Sequence, residues 1–421
     1  MANGVRHVFQ QLRRVATALR DDIRESTDAS LLAVPRFLGL LYGPLDRRSR
    51  IDKAFKKAQG YRLAPHVGWR HALGGIIYFL LMVLVGTGVL MAFYYRPSVQ
   101  EAYPSVQHIV SSIPFGWLVR DLHSWAASLV VVLAALHLAR TFIEGAYKPP
   151  RETNWTVGLL LLVVVLAFGA SGYLLPWEQS SYWTVAEALD AVQGVPILGG
   201  FAAELLRGDA VVSGATLSRF FALHVILLPW LLLWLVTLHF GLVRKLGVAP
   251  LAYGTGTGRA VPFYPHQLMR ILGAAAVTLA ALISFAVLFP RPFGPQADPG
   301  VVPTAMSADW VAVAPWRGLV HYLGSLAPIL LLLLGLALLV LPLVDDGPER
   351  KLRRRPAALA LGAVFLGGLL LAAVAGRLLE GQGPVYRESA VETPAAPFQG
   401  ATGATGRPAP LPDTAAAGRE P

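Results

Sequence analysis

Apolar residues collect into seven long stretches, near residues 71–94, 119–142, 156–175, 218–243, 270–290, 318–344 and 356–376. Each is long enough to cross a hydrocarbon core of about 30 Å, which takes about 20 helical residues. The pattern predicts an all-α integral membrane protein of about seven spans. Two connections on one side are long, residues 176–217 and 291–317, and both carry Trp and Pro. They predict short interfacial helices that cover something.

The ends of the chain read differently. Residues 1–60 have no early apolar run, and their arginines cluster (Arg13, Arg14, Arg20, then Arg47, Arg48, Arg50). One or two amphipathic helices along the inner membrane face are expected there, a loosely ordered tail being the alternative. No signal peptide is read, so insertion is expected through the spans themselves. Residues 377–421 are rich in Pro, Ala, Gly and Thr and are expected to stay disordered on the outer side. The expected organisation is a basic surface segment over 1–60, a four-span domain over 61–250, a three-span domain over 251–376 and a tail over 377–421.

Composition and charge sharpen this picture. The 421 residues are 55% hydrophobic and 14% charged, too apolar for an ordinary soluble protein. If the spans alternate, the segments on the N-terminal side hold 24 Lys and Arg and the opposite side holds eight. The positive-inside rule then puts the N-terminus in the cytoplasm and the tail outside a bacterial inner membrane. The net charge of +11 reads as topology and contact with anionic membrane lipid, not as a nucleic-acid footprint. Cysteine is absent, which excludes disulfides, Cys-ligated iron–sulfur clusters and thioether-linked haem within this chain.

The candidate chemistry lies in the second and fourth stretches. His123 and His137 are fourteen residues apart, and His224 and His239 fifteen. At about 1.5 Å per residue each pair is roughly 21–22 Å apart and close to four turns, so both histidines of a helix face nearly the same way at opposite membrane depths. The two helices run in the same direction, which levels His123 with His224 and His137 with His239. One intramembrane histidine can be a hydrogen bond across helices; four in two matched pairs point to ligands.

Glycine supports two flat plates between four helices. Gly74 and Gly88 in the first span, and Gly158 and Gly172 in the third, repeat the fourteen-residue spacing. Ordinary close packing of small residues is the alternative. Arg120 and Arg140 each stand three residues from a histidine, towards opposite surfaces, where haem propionates would emerge. Snorkelling to the surface is an equal reading of Arg140. Iron with two histidine ligands has no open position, so two non-covalent b-type haems here would pass electrons across the bilayer.

The chain resembles the cytochrome b family, and its plastid and cyanobacterial bf-type branch more than the mitochondrial one. The resemblance is carried by Phe93-Tyr94-Tyr95-Arg96-Pro97, Gly116-Trp117-Leu118-Val119-Arg120, Lys148-Pro149-Pro150-Arg151-Glu152, Gly172-Tyr173-Leu174-Leu175-Pro176-Trp177-Glu178-Gln179 and Thr216-Leu217-Ser218-Arg219-Phe220. Residues 260–376 are similar to that branch's separate three-span subunit, here fused into one chain. The resemblance implies a Q-cycle, with quinol oxidised on the outer side and quinone reduced on the inner side. It implies a Rieske iron–sulfur protein and a c-type cytochrome as partners, and a homodimeric complex. It assigns His123 and His224 to an outer haem and His137 and His239 to an inner one, and places Arg244 near the inner quinone, where a snorkelling arginine is the alternative.

Two positions depart from the bf-type pattern. Ala72 stands where that branch carries the cysteine for a further, covalently attached haem, so a thioether-bound third haem is impossible. Where the family has Pro-Glu-Trp-Tyr at the outer quinol site, this chain has Ala308-Asp309-Trp310-Val311. Asp309 is the candidate base for quinol oxidation; an exposed loop acid is the alternative. A quinone-reactive electron wire serving another dehydrogenase, without outer-site quinol oxidation, is a second reading of the whole chain. A non-redox transporter or structural membrane protein is a third.

Overall fold

The computed structural model describes residues 62–250, 260–379 and 382–384. The expected surface helices over 1–60 and nearly all of the expected tail lie outside the described residues. Among the described residues, seven helices are long and apolar enough to cross a membrane: α1 (Leu73–Ala92), α3 (Gly116–Ile143), α4 (Glu152–Leu174), α7 (Gly214–Leu246), α8 (Leu268–Leu288), α10 (Leu326–Val344) and α11 (Pro356–Leu378). Runs of Leu, Val and Ala that leave no polar backbone group open to lipid explain why these segments are helical. Their outward faces stay apolar, as at Val89, Leu333 and Leu371, each more than half exposed.

Among the described residues, four further α-helices lie between the spans. They are α2 (Ala102–Ser112), α5 (Gln179–Gln193), α6 (Gly199–Arg207) and α9 (Val313–Leu323). All four sit at one end of the bundle, with the long connections, and this is the loop end. The opposite, basic end carries residues 62–72, 144–151, 247–250 and 345–355 and a short antiparallel pairing of Arg62–Leu63 with Val261–Pro262.

The sixth apolar stretch differs from the expected single span over 318–344. It breaks at Gly324, whose φ of 54° is left-handed and ends a helix without a side-chain penalty. Its first part becomes α9, which lies against α11 at backbone distance. A methyl group on Gly376 would overlap the Ala314 carbonyl, and one on Gly318 the Ala372 carbonyl. The stretch was long enough for a span and a surface helix together, and hydropathy does not mark the join. The interfacial helices expected over 176–217 are present as α5 and α6.

Spans α1, α3, α4 and α7 pack around one core that includes Leu80, Ala126, Val130, Val164, Leu235 and Leu238. The other three spans flank them. Phe285 of α8 stacks on Trp125 of α3, and the Trp155 indole of α4 donates 2.7 Å to the Leu338 carbonyl of α10.

One irregularity positions the core. Residues Leu223–Leu227 of α7 form a single π turn, continuous with helix on both sides. A π turn takes up one extra residue without changing the course of the helix beyond it.

Candidate functional site

The four histidines meet inside the four-span core. The His123 and His224 ring centroids are 6.3 Å apart, and those of His137 and His239 6.5 Å apart. Two metal–nitrogen bonds of about 2.0 Å and two half-rings of about 1.1 Å span roughly 6.2 Å, so one iron between each pair fits these separations.

Each histidine also faces one glycine across the bundle. A methyl on Gly88 would lie 3.3 Å from His123 Cε1, and one on Gly172 2.6 Å from His224 Cε1. At the other level, Gly74 and Gly158 face His137 and His239 at 3.7 and 3.6 Å. The four spans thus contribute alternately a ring and a gap at both depths, as a flat macrocycle held edgewise requires. The residues present fit two bis-histidine haems.

Hydrogen bonding fixes the ring orientation at the loop-end level. The Thr87 hydroxyl gives its one proton to the Val83 carbonyl at 2.7 Å. It can therefore only accept from His123 Nδ1, 2.9 Å away. Ser171 likewise donates to the Ala167 carbonyl, and His224 Nδ1 lies 3.2 Å from its oxygen and 3.0 Å from the Phe168 carbonyl. Both rings carry the proton on Nδ1 and keep the Nε2 lone pair free, the tautomer of a metal ligand. At the basic-end level the Nδ1 atoms of His137 and His239 are buried without such a bond. Thr87 and Ser171 escaped the sequence reading, because each bonds to its own helix in the way any intramembrane Thr or Ser does.

The arginines are placed less simply. Arg120 donates to the Arg291 and Pro292 carbonyls at 2.7 and 3.1 Å, and lies 3.2 Å from Asp121 and 3.6 Å from Glu178. Arg140 pairs with Glu144 at 3.2 Å and donates to the Arg70 carbonyl. Arg244 lies in the last turn of α7 at the basic end. Arg120 lies towards the loop end and Arg140 and Arg244 towards the basic end, with Arg120 and Arg140 engaged by protein groups.

Asp309 sits in the loop before α9, and its carboxylate accepts 2.6 Å from the Ser307 hydroxyl. The neighbouring Trp310 ring packs at Gly169 of α4, leaving no room there for a side chain, and lies 6.4 Å from the Tyr173 ring. Glu178 is buried close by. Burial pushes its carboxyl above the ordinary range, against the lowering effect of the Gly294 N–H and Arg120, while the Asp309 charge adds to the rise. The loop end therefore holds two neighbouring carboxyl groups between α3, α4 and the second long connection.

Comparison with known proteins agrees with this arrangement. The family model described as cytochrome b/b6/petB matches residues 58–247, which contain all four histidines and all four glycines. Cytochrome b6 of Synechococcus sp. (strain JA-3-3Ab) is 40% identical over 209 residues, covering 50% of this chain and 97% of that protein. Cytochrome b6 of Prochlorococcus marinus (strain MIT 9303) is 43% identical over 209 residues, covering 50% of this chain and 96% of that protein. A chain of a solved structure, "Hyperthermophilic respiratory Complex III", superposes with a TM-score of 0.66 at 26% identity, covering 80% of this chain and 95% of that one. The structural match thus reaches well past the residues shared with cytochrome b6 and into the three further spans. With paired histidines at two depths, glycines opposite each ring and relatives matched over nearly their whole length, this chain belongs to the cytochrome b/b6 family.

Proposed function

We propose that the chain is the cytochrome b subunit of a quinol:cytochrome c-type oxidoreductase, with His123 and His224 holding one b-type haem and His137 and His239 the other. Bound there, the two haems supply one-electron transfer between the two membrane faces. The observation that carries this is the pair of histidine couples at 6.3 and 6.5 Å, each ring of which faces a glycine. The chain's own residues hold the His123 and His224 rings in the metal-binding tautomer, exclude water with Leu, Val and Phe, and bring Asp309 and Glu178 together at the loop end.

In this reading the loop end faces outward and takes quinol, with Asp309 receiving a proton, and the basic end faces the cytoplasm and serves quinone reduction beside Arg244. The complex would include a Rieske iron–sulfur protein and a c-type cytochrome and be a homodimer. The division into a four-span domain over 61–250 and a three-span domain over 251–376 belongs to the same proposal.

The test is haem content. Replacing His123 or His224 by Ala is expected to remove one b-type spectral component, and replacing His137 or His239 the other. A haem-supplied, folded protein without b-type absorbance overturns the reading. The second reading, a quinone-reactive wire, draws on the shorter acid at position 309, where the family carries glutamate. Asp309→Asn tests the difference in the intact complex: slowed quinol oxidation upholds outer-site catalysis through Asp309, and an unchanged rate removes Asp309 from the mechanism.

A further inference from the structure

The loop that carries Asp309 is held by a guanidinium that neither motif nor spacing singled out. Arg291 follows the end of α8 by three residues. Its side chain lies along one stripe of α3. The guanidinium carbon sits 3.8 Å from the centroid of the Trp125 ring, and Nη2 donates 3.2 Å to the Ser128 hydroxyl. Its backbone N–H donates 3.2 Å to Asp121 Oδ2. Residues 121, 125 and 128 are spaced i, i+4 and i+7 and share one helix face. His123 is two residues from both Asp121 and Trp125, about 200° around the helix, so this stripe is the back of the helix that presents the histidine.

The other side of the guanidinium faces the loop. Nη1 donates to the backbone carbonyl of Asp309, while the Arg291 carbonyl accepts from Arg120. One residue therefore ties three things together: the exit of α8, the back of α3 and the main chain of Asp309. The placement is costly, because Nε is buried without a partner and a buried guanidinium must be desolvated. Simple anchoring of a loop does not call for a cation in such a place; an apolar side chain would do it more cheaply.

We propose that Arg291 is the positioning residue of the loop-end quinol site: it clamps the Asp309 backbone to the back of α3 and so sets where the Asp309 carboxylate stands relative to the His123 level. The proposal rests on the reading of Asp309 as proton acceptor. A flat guanidinium that stacks on Trp125 and donates in two directions does this in a way a single ammonium cannot.

The experiment is a double-mutant cycle in the intact complex, with a soluble short-chain quinol as donor and haem content measured on every variant. Arg291→Met keeps the stem over Trp125 and removes the donors. It is expected to leave both haems in full amount and to lower kcat by about 10- to 100-fold, the scale of an ångström-level misplacement, with a smaller change in KM. Arg291→Lys is expected to recover part of the rate. Because Arg291 acts through Asp309, Arg291→Met with Asp309→Asn is expected to be no slower than Asp309→Asn alone.

Wild-type turnover in Arg291→Met, beside a slow Asp309→Asn, overturns the clamp and leaves Asp309 as base. Losses that multiply in the double variant also overturn it, since Arg291 then acts independently. An unimpaired Asp309→Asn overturns the reading of Asp309 and the clamp with it. If Arg291→Met does not assemble, Arg291→Lys decides: a reduced kcat with full haem that does not compound with Asp309→Asn upholds the clamp, and a wild-type rate or compounding losses overturn it.

Discussion

Thr87 and Ser171 are ordinary residues in a membrane helix, yet each fixes the tautomer of a histidine on another span. A hydrogen bond accepted from Nδ1–H makes the ring a stronger donor at Nε2, which favours the oxidised metal. Thr87→Val should therefore raise the midpoint potential of the haem proposed between His123 and His224 and leave the other proposed haem unmoved. A redox titration that shifts both components, or neither, rules this out. Glycine gives a second check at the same scale. A methyl on Gly172 would meet His224 at 2.6 Å, whereas one on Gly158 stays at an ordinary 3.6 Å from His239. Gly172→Ala should thus lower occupancy of the loop-end haem more than Gly158→Ala lowers that of its counterpart, read as haem per chain. The histidines and glycines were legible because intramembrane spacing is a strong signal. Thr87 and Ser171 were not, because which ring a hydroxyl meets depends on how two helices are rotated.

Hydropathy located all seven spans, but it could not explain why one histidine pair is spaced fourteen and the other fifteen. The π turn at Leu223–Leu227 accounts for the odd residue. Fourteen residues of α-helix come round to within about 40° of the starting direction, and fifteen overshoot by about 60°. Absorbing one residue in a wide turn at His224 makes the fifteen-residue pair behave like the fourteen-residue pair of α3. Deleting Ile226, inside the π turn, should restore regular helix with both haems retained. Deleting Leu233, in regular helix between the histidines, should turn the two ends about 100° out of register and cost one haem. Equal haem content in the two deletions would contradict the role given to the turn. The same kind of local backbone event, Gly324 at positive φ, split the sixth stretch into α9 and α10. Hydrophobic pattern reports burial in lipid and is blind to such breaks.

At the scale of the molecule, the four-span core and the later spans are joined at the basic end by a buried ionic lock. Asp345, at the end of α10, accepts from Lys148 Nζ at 2.6 Å, from Arg355 at 3.1 Å and from the Tyr147 hydroxyl. Lys148 is 2% and Arg355 4% exposed, so neither cation has water to fall back on. The Lys148-Pro149-Pro150-Arg151-Glu152 motif was visible in the sequence; its partner, 197 residues later, was not. Burial alone would raise the Asp345 carboxyl, but the bonds from Lys148, Tyr147 and Arg355 outweigh it and hold it below its ordinary 3.8. A lowered carboxyl contributes stability in full above that ordinary value and loses it as pH falls through the lower folded value, so the lock is closed at neutral pH. Removing the carboxylate leaves two buried cations without a counter-charge, bonded only to neutral groups such as the Gly347, Phe142 and Ile143 carbonyls, a loss of about 3 kcal/mol, or roughly a hundredfold in an equilibrium. Within one chain this is partly masked, because the linker keeps the two parts at high effective concentration. Asp345→Asn should then lower the thermal midpoint of the intact protein while both haems stay bound. Co-expressed as separate chains, 1–255 and 256–421, the wild-type parts should co-purify and the Asp345→Asn parts should separate. Co-purification of the split variant at the wild-type level would mean that packing such as Trp155 on Leu338 holds the two parts together without the lock.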